Sequence, residues 1–157
     1  MYNHSPDNYK CPICLGVSGV ESEDTLLKQA DLVFKDDLVS VFINSFWLDT
    51  VMGHAIVVPN QHFENIYDLP LEVGHRMFEV IKKVSIAMKV SYQCDGITTR
   101  QNNEPAGGQH AFHFHHHVFP RYEGDSFDLN QSKKSILSEP KDRLAYVDKL
   151  RSSLNKL

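Results

Sequence analysis

Residues 107–122 read GGQHAFHFHHHVFPRY, and five of the nine histidines in the chain fall between His110 and His117. Aromatic and apolar residues are interleaved with the imidazoles, so the run reads as a strand from Ala111 to Phe119, entered from a turn around Glu104, Pro105, Ala106, Gly107 and Gly108. Side chains alternate across a strand, which puts His113, His115 and His117 on one face and Phe112, Phe114, His116 and Val118 on the other. A solvent-facing strand draws on Lys, Glu and Thr, so three imidazoles in a row point to chemistry. One such chemistry is a catalytic metal site, which would need a carboxylate or another histidine to complete it; His54, His62 and His110 are the candidates.

Outward from this run the hydrophobic period changes several times. Leu38 to Ile43 and His54 to Val58 read as two strands joined through Asn44 to Gly53, a hairpin. From Pro70 to about Tyr92 the positions Leu71, Gly74, Met77/Phe78, Ile81, Val84/Ser85 and Met88 recur every three or four residues, a long helix with one apolar stripe facing a core. Gly96 to Arg100 reads as a further strand, and Ser138 to Leu157 as a weakly amphipathic terminal helix. Strands adjacent in sequence with one long helix predict an α+β fold built on an antiparallel sheet.

Composition narrows the function. A chain of 157 residues, 41% hydrophobic, is expected to fold as one domain over 1–157. A formal charge of −4 and a pI near 6.1 provide no basic field for bulk nucleic-acid binding, so any phosphate recognised here is held locally. Met1 to Lys10 lacks the apolar core of a signal peptide, and no run of about 18 apolar residues suggests a membrane span, so a soluble, cytoplasmic protein is expected. Among the three cysteines, Cys11-Pro12-Ile13-Cys14 has the spacing of metal or redox chemistry, while Cys94 stands alone as a small buried side chain.

The pattern Gly108-Gln109-x-x-x-His113-x-His115-x-His117-Val118-x-Pro120-Arg121 resembles the signature of the histidine triad (HIT) family. Gly53-His54-Ala55-Ile56-Val57-Val58-Pro59-x-x-His62 resembles the family's strand and following turn, and Asn102 precedes the Gly-Gly-Gln turn where the family has a polar residue. The resemblance spans roughly Tyr9 to Asp125 and leaves 126–157 as a partly helical C-terminal extension. It implies a HIT-like fold, a sheet of about five antiparallel strands with one long helix and shorter helices, in a homodimer.

Chemically, the resemblance implies binding of a purine nucleotide and cleavage at its α-phosphate through a nucleotidyl-histidine. By position, His115 is the nucleophile, with its second ring nitrogen bonded to a main-chain carbonyl near His113; His117 assists the leaving group and His54 supports the triad. Asn102 and the backbone of Gly108, Gln109 and His110 would hold the phosphate. Asn44 would meet the ribose, with Ile43 and Phe42 near the base, and Trp47 either extends the pocket or covers core. A third histidine at His117 favours a hydrolase, of dinucleoside polyphosphates or nucleoside phosphoramidates, over a nucleotidyltransferase; a non-catalytic nucleotide-binding module is the other alternative.

The resemblance also implies a structural Zn2+ on Cys11, Cys14, His62 and His113, a closed tetrahedral set. Unmetallated thiols and a redox Cys-x-x-Cys are the competing readings. A redox motif should open a helix after a strand, and Leu15 to Gly19 does not read as a helix.

Overall fold

The structure, a computed structural model, describes residues 2–48, 51–127 and 135–157. Asp49 and Thr50 of the segment Ser45 to Met52, and residues 128–134 of the C-terminal extension, lie outside the described residues, as does Met1.

The elements run α1 (Pro12–Val17), β1 (Leu32–Lys35), β2 (Val39–Ile43), β3 (Phe46–Leu48), β4 (Ala55–Pro59), α2 (Leu71–Tyr92), β5 (Gly96–Gln101), β6 (His116–Arg121), β7 (Ser135–Leu137) and α3 (Pro140–Leu154). Five strands form one sheet in the order β1-β2-β4-β6-β5, every pairing antiparallel. This is the α+β architecture expected from the sequence.

The hairpin between the two early strands is present, with Val41 opposite Val57 and Ile43 opposite Ala55. An additional strand, β1, flanks it. It is joined to β2 by a tight turn in which the Asp36 carboxylate accepts from the amides of Leu38 and Val39 at 2.9 and 2.8 Å.

One face of the sheet carries Val39, Val41, Ile43, Ala55, Val57 and Val118, which pack beneath α2 and α3. Burying each such aliphatic side chain contributes roughly 1.5–3 kcal/mol. On α2 the buried stripe is Val73, Met77, Val80, Ile81, Val84, Ala87, Met88 and Tyr92. Leu71 and Phe78, expected in that stripe, are instead 80% and 71% exposed. Met77, Ile81, Val84 and Met88 are buried as the period of 3.6 requires; Leu71 is the helix's first residue, and at the paired position 77/78 it is Met77 that turns to the core.

The strand expected from Ala111 starts only at His116; residues 111–113 form bends and 114–115 are irregular. A turn closed by the His113 amide on the Ala111 carbonyl, 2.9 Å, bends the chain just before the ladder begins. His113 and His115 are therefore placed by this bend, not by strand alternation.

The C-terminal extension is tied down twice. Strand β7 pairs with β3, Trp47 opposite Ile136, in a small second sheet. Arg143 on α3 is buried, and its Nε donates to the Asp31 carboxylate at 2.7 Å while its Nη1 donates to the Ser138 carbonyl at 2.8 Å. Each buried charge thus has a partner and a geometry that satisfies it.

Candidate active site and metal centre

The second face of the sheet holds the chemistry. Phe42, Ile56 and Val58 pack there against Cys11, Ile13 and Leu27 of the N-terminal segment. Two adjoining cavities open between that segment and β6, with volumes of about 310 and 1000 Å³. His115, His117 and Asn44 line both. The smaller has an apolar wall of Ile13, Leu27, Phe46, Ile56 and Ala111, with Glu23, Asp24, Thr25 and Ser45 adding polar groups. The larger adds Arg100, Asn102, Gly108, His110 and Phe119.

His115 Nδ1 lies 2.7 Å from the main-chain oxygen of His113. A carbonyl can only accept, so Nδ1 carries the proton and Nε2 keeps its lone pair. Burial disfavours the imidazolium and lowers the pKa of His115 below the ordinary histidine value. The ring is therefore neutral and has one basic nitrogen. His117 stands beside it, ring centroids 4.9 Å apart, and stacks on Phe119 at 5.4 Å. Burial first, then the neighbouring His115, His54 and Arg100, push its pKa well down.

His54 lies behind this pair, 5.4 Å from the His117 ring and 4.3 Å from Phe119. The Asn44 amide donates to the Phe46 carbonyl at 2.9 Å, and its Nδ2 is 2.8 Å from His54 Nε2. An amide NH2 is only a donor, so Nε2 of His54 accepts and the ring is neutral; burial, with Arg100 and His115 nearby, takes its pKa down to about 3.

The turn expected to hold phosphate differs from that expectation. The amides of Gly108 and Gln109 donate to the carbonyls of Pro105 and Glu104, both at 3.0 Å. Gln109 is buried, with its side-chain amide donating to the Glu64 carbonyl at 2.6 Å and its oxygen accepting from the Glu104 amide at 2.7 Å. Gln109 therefore braces the turn and does not line the cavity, a correction that follows from the turn using its own donors to close itself. Gly108 does line it, at φ +83°, and a Cβ there would stand 2.9 Å from the Asn102 amide nitrogen, so the turn needs glycine. Asn102 in turn donates to the Gly107 carbonyl. His110 is exposed at the cavity rim.

Of the residues expected at the nucleoside, Asn44 reaches both cavities. Ile43 does not: it belongs to the core under the helices, because alternation along β2 turns it away from Phe42. Trp47 is core as well, edge-on to Tyr146 at 5.3 Å. Arg100, which sequence reasoning passed over, lines the larger cavity directly opposite His117 on the neighbouring strand. An isolated arginine at a strand's end gives no signal until the pairing register is known.

On the far side of His115, Cys11, Cys14, His62 and His113 converge, with one ligand atom from each lying within 4.8 Å of all the others. His113 Nδ1 is 3.4 Å from both sulfurs, and His62 Nδ1 is 3.3 Å from Cys14 Sγ. A tetrahedral zinc with bonds of about 2.3 Å to sulfur and 2.0 Å to nitrogen has S···N edges of roughly 3.5 Å, so the donors fit that ion. His113 Nε2 lies 3.0 Å from the Pro59 carbonyl, which obliges it to donate and leaves Nδ1 as the ligand atom. The neighbouring Cys14 thiol, and after it His113, hold the Cys11 thiol below the ordinary cysteine value, while the contact with Cys11 raises Cys14.

One expectation about this motif is corrected. Cys-x-x-Cys does open a helix, α1, because Cys11 caps it through its sulfur, accepting from the Cys14 amide at 3.3 Å, and Pro12 occupies the first helical position. What separates the motif from a dithiol is the two imidazole nitrogens against the sulfurs, together with the absence of a strand among the described residues before α1, where the chain turns at Asp7 and Asn8.

The HIT domain family matches residues 26–124. The chain is 33% identical over 96 residues to a protein named hit from Bacillus subtilis, spanning 60% of this chain and 65% of that one. It is 31% identical to an uncharacterised HIT-like protein of Saccharolobus solfataricus, over 87% of this chain and 94% of that one. A Zn-bound histidine triad family protein from Mycobacterium smegmatis superimposes with a TM-score of 0.74, at 28% identity, over 94% of each chain. An adenylylsulfatase of Arabidopsis thaliana is 26% identical over 76% of this chain and 57% of its own length.

Proposed function

The chain belongs to the HIT domain family, and from that premise we propose that it is a hydrolase that breaks a purine nucleotide conjugate at the α-phosphate. The observation that carries this reading is the bond from His115 Nδ1 to the His113 carbonyl, 2.7 Å, which leaves a neutral imidazole with Nε2 as its basic atom. The apolar wall of the smaller cavity suits a purine, with Asn44 at the ribose. His115 Nε2 then attacks the α-phosphorus, a P–N bond forms as the bond to the leaving group breaks, and the electron pair leaves with that group. His117, on the same side of the cavity, donates to the departing atom; water then attacks the nucleotidyl-histidine and releases the nucleotide. His54 and Asn44 orient His117 and the nucleoside from behind.

The metal belongs to the same proposal. Cys11, Cys14, His62 and His113 would hold a structural Zn2+, whose chemistry is to fix the N-terminal segment against β4 and β6. The relative from Mycobacterium smegmatis, described as Zn-bound, supports this reading. No helix among the described residues is long and apolar enough to cross a membrane, and the reading keeps the protein in the cytoplasm as a paired molecule.

The test is trapping of the intermediate with radiolabelled substrate. His115→Ala should form no labelled adduct and lose turnover by at least about a thousandfold, while AMP still binds. A labelled adduct on His115→Ala, or near-normal turnover, would remove His115 as the nucleophile.

A further inference from the structure

We propose that Arg100 selects the leaving group, admitting substrates in which the α-phosphate is joined through an anhydride oxygen to a second oxyanion, a phosphate or a sulfate. The proposal rests on the hydrolase reading above and goes beyond it by naming the half of the substrate that the nucleoside pocket does not contact.

Four observations carry it. Arg100 faces His117 across the β5–β6 pairing, so the two side chains share one face of the sheet next to the reacting position. Its guanidinium lies 5.4 Å from the centroid of Phe119, the ring on which His117 stacks, and is oriented by that platform. Arg100 lines only the larger cavity, whereas His115 and His117 line both. A nucleoside in the small cavity with its α-phosphate at His115 therefore sends its leaving group into the space that Arg100 borders. Finally, the Gly108 and Gln109 amides donate within their own turn. Among the side chains on this wall, the guanidinium carries a permanent charge and a planar fork of donors matched to phosphate or sulfate oxygens.

In the step itself, His115 Nε2 forms the P–N bond, the anhydride P–O bond breaks, and its electron pair stays on the departing oxygen. The added negative charge develops where Arg100 can meet it. A phosphoramidate leaves as an amine and develops no such charge, so it gains little from the arginine.

The experiment measures kcat/KM for diadenosine triphosphate, adenylyl sulfate and an adenosine 5′-phosphoramidate of a neutral amine, with the unaltered chain, Arg100→Gln and Arg100→Lys. The expected result is that Arg100→Gln loses roughly ten- to hundredfold more on at least one anhydride than on the phosphoramidate, the range of one charged hydrogen bond, with partial recovery in Arg100→Lys. Whichever anhydride loses more identifies the phosphate or the sulfate as the group held. An equal loss on all three substrates overturns the proposal, because Arg100 would then act only through His117 or the fold. Turnover of the phosphoramidate alone by the unaltered chain leaves the hydrolase standing and overturns the leaving-group assignment; no turnover of any of the three overturns both.

Discussion

At the scale of single residues, the site works by withholding protons from imidazoles. His115 is buried, so its neutral form persists to lower pH than that of a free histidine, whose pKa is about 6.5. Single-turnover nucleotidylation should therefore be flat through neutrality and fall only at an apparent pKa beneath that value; a midpoint above it would contradict the assignment. His54 gives a linked stability effect. Its pKa is 6.5 when unfolded and about 3 in the fold, so between these values the unfolded chain binds the extra proton. The contribution is complete above pH 6.5 and is lost progressively as pH falls toward about 3. Thermal melts of His54→Leu should accordingly show a shallower loss of Tm between pH 7 and pH 5 than the unaltered chain; equal slopes would place the acid sensitivity elsewhere.

At the scale of elements, α1 depends on what its N-terminus meets. Six residues, Pro12–Val17, are too few to hold a helix unaided. Cys11 and Cys14 converge with His62 from beyond β4 and with His113 from the bend before β6, so one ion would join three separate segments. Purified protein should then carry close to one zinc per chain. Cys11→Ser should lower that content sharply and reduce Tm by on the order of 10 °C, since metal binding to such a set is coupled to folding. Full stability in metal-free protein, measured by calorimetry after chelation, would reject the structural role. His113 belongs to this group through Nδ1 and to the His115–His117 pair through its carbonyl, so loss of metal should also loosen the bond that sets the His115 tautomer.

At the scale of the whole molecule, the outer face of α2 is unusual. Leu71, Phe78 and Val90 are 80%, 71% and 67% exposed on a single helix, alongside β5, which forms an open edge of the five-stranded sheet. Leu71 and Phe78 stand two turns apart on one exposed face of α2, and a second copy of this chain would meet that face in a two-fold arrangement. Light scattering should give twice the 18.0 kDa chain mass, and Phe78→Asp should shift the protein toward the single-chain mass. A monomer at all accessible concentrations would end the pairing idea. The C-terminal extension lies on the other flank, where α3 adds Val147 and Leu150 to the main core and Arg143 reaches Asp31.

Much of this was legible in the sequence because it depends on short-range rules. The β-branched, apolar runs at 39–43 and 55–59 give the strands, and the period of 3.6 in 71–92 gives the helix, directly from side-chain geometry. The spacing of Cys11, Cys14, His113, His115 and His117, with its flanks, is enough to name the family and to single out the cysteine–histidine cluster and the row of histidines. Contacts between distant segments were not legible. That Arg100 faces His117 depends on the register of β5 against β6, and that Gln109 braces a turn depends on where Glu64 and Glu104 come to lie. The strand at the triad was drawn five residues too early, at Ala111 in place of His116, because alternation cannot reveal a bend closed by one backbone bond. A side chain's type and spacing determine what chemistry it can perform; the partners that set its proton, its burial and its neighbours come from other parts of the chain, and only the tertiary structure decides them.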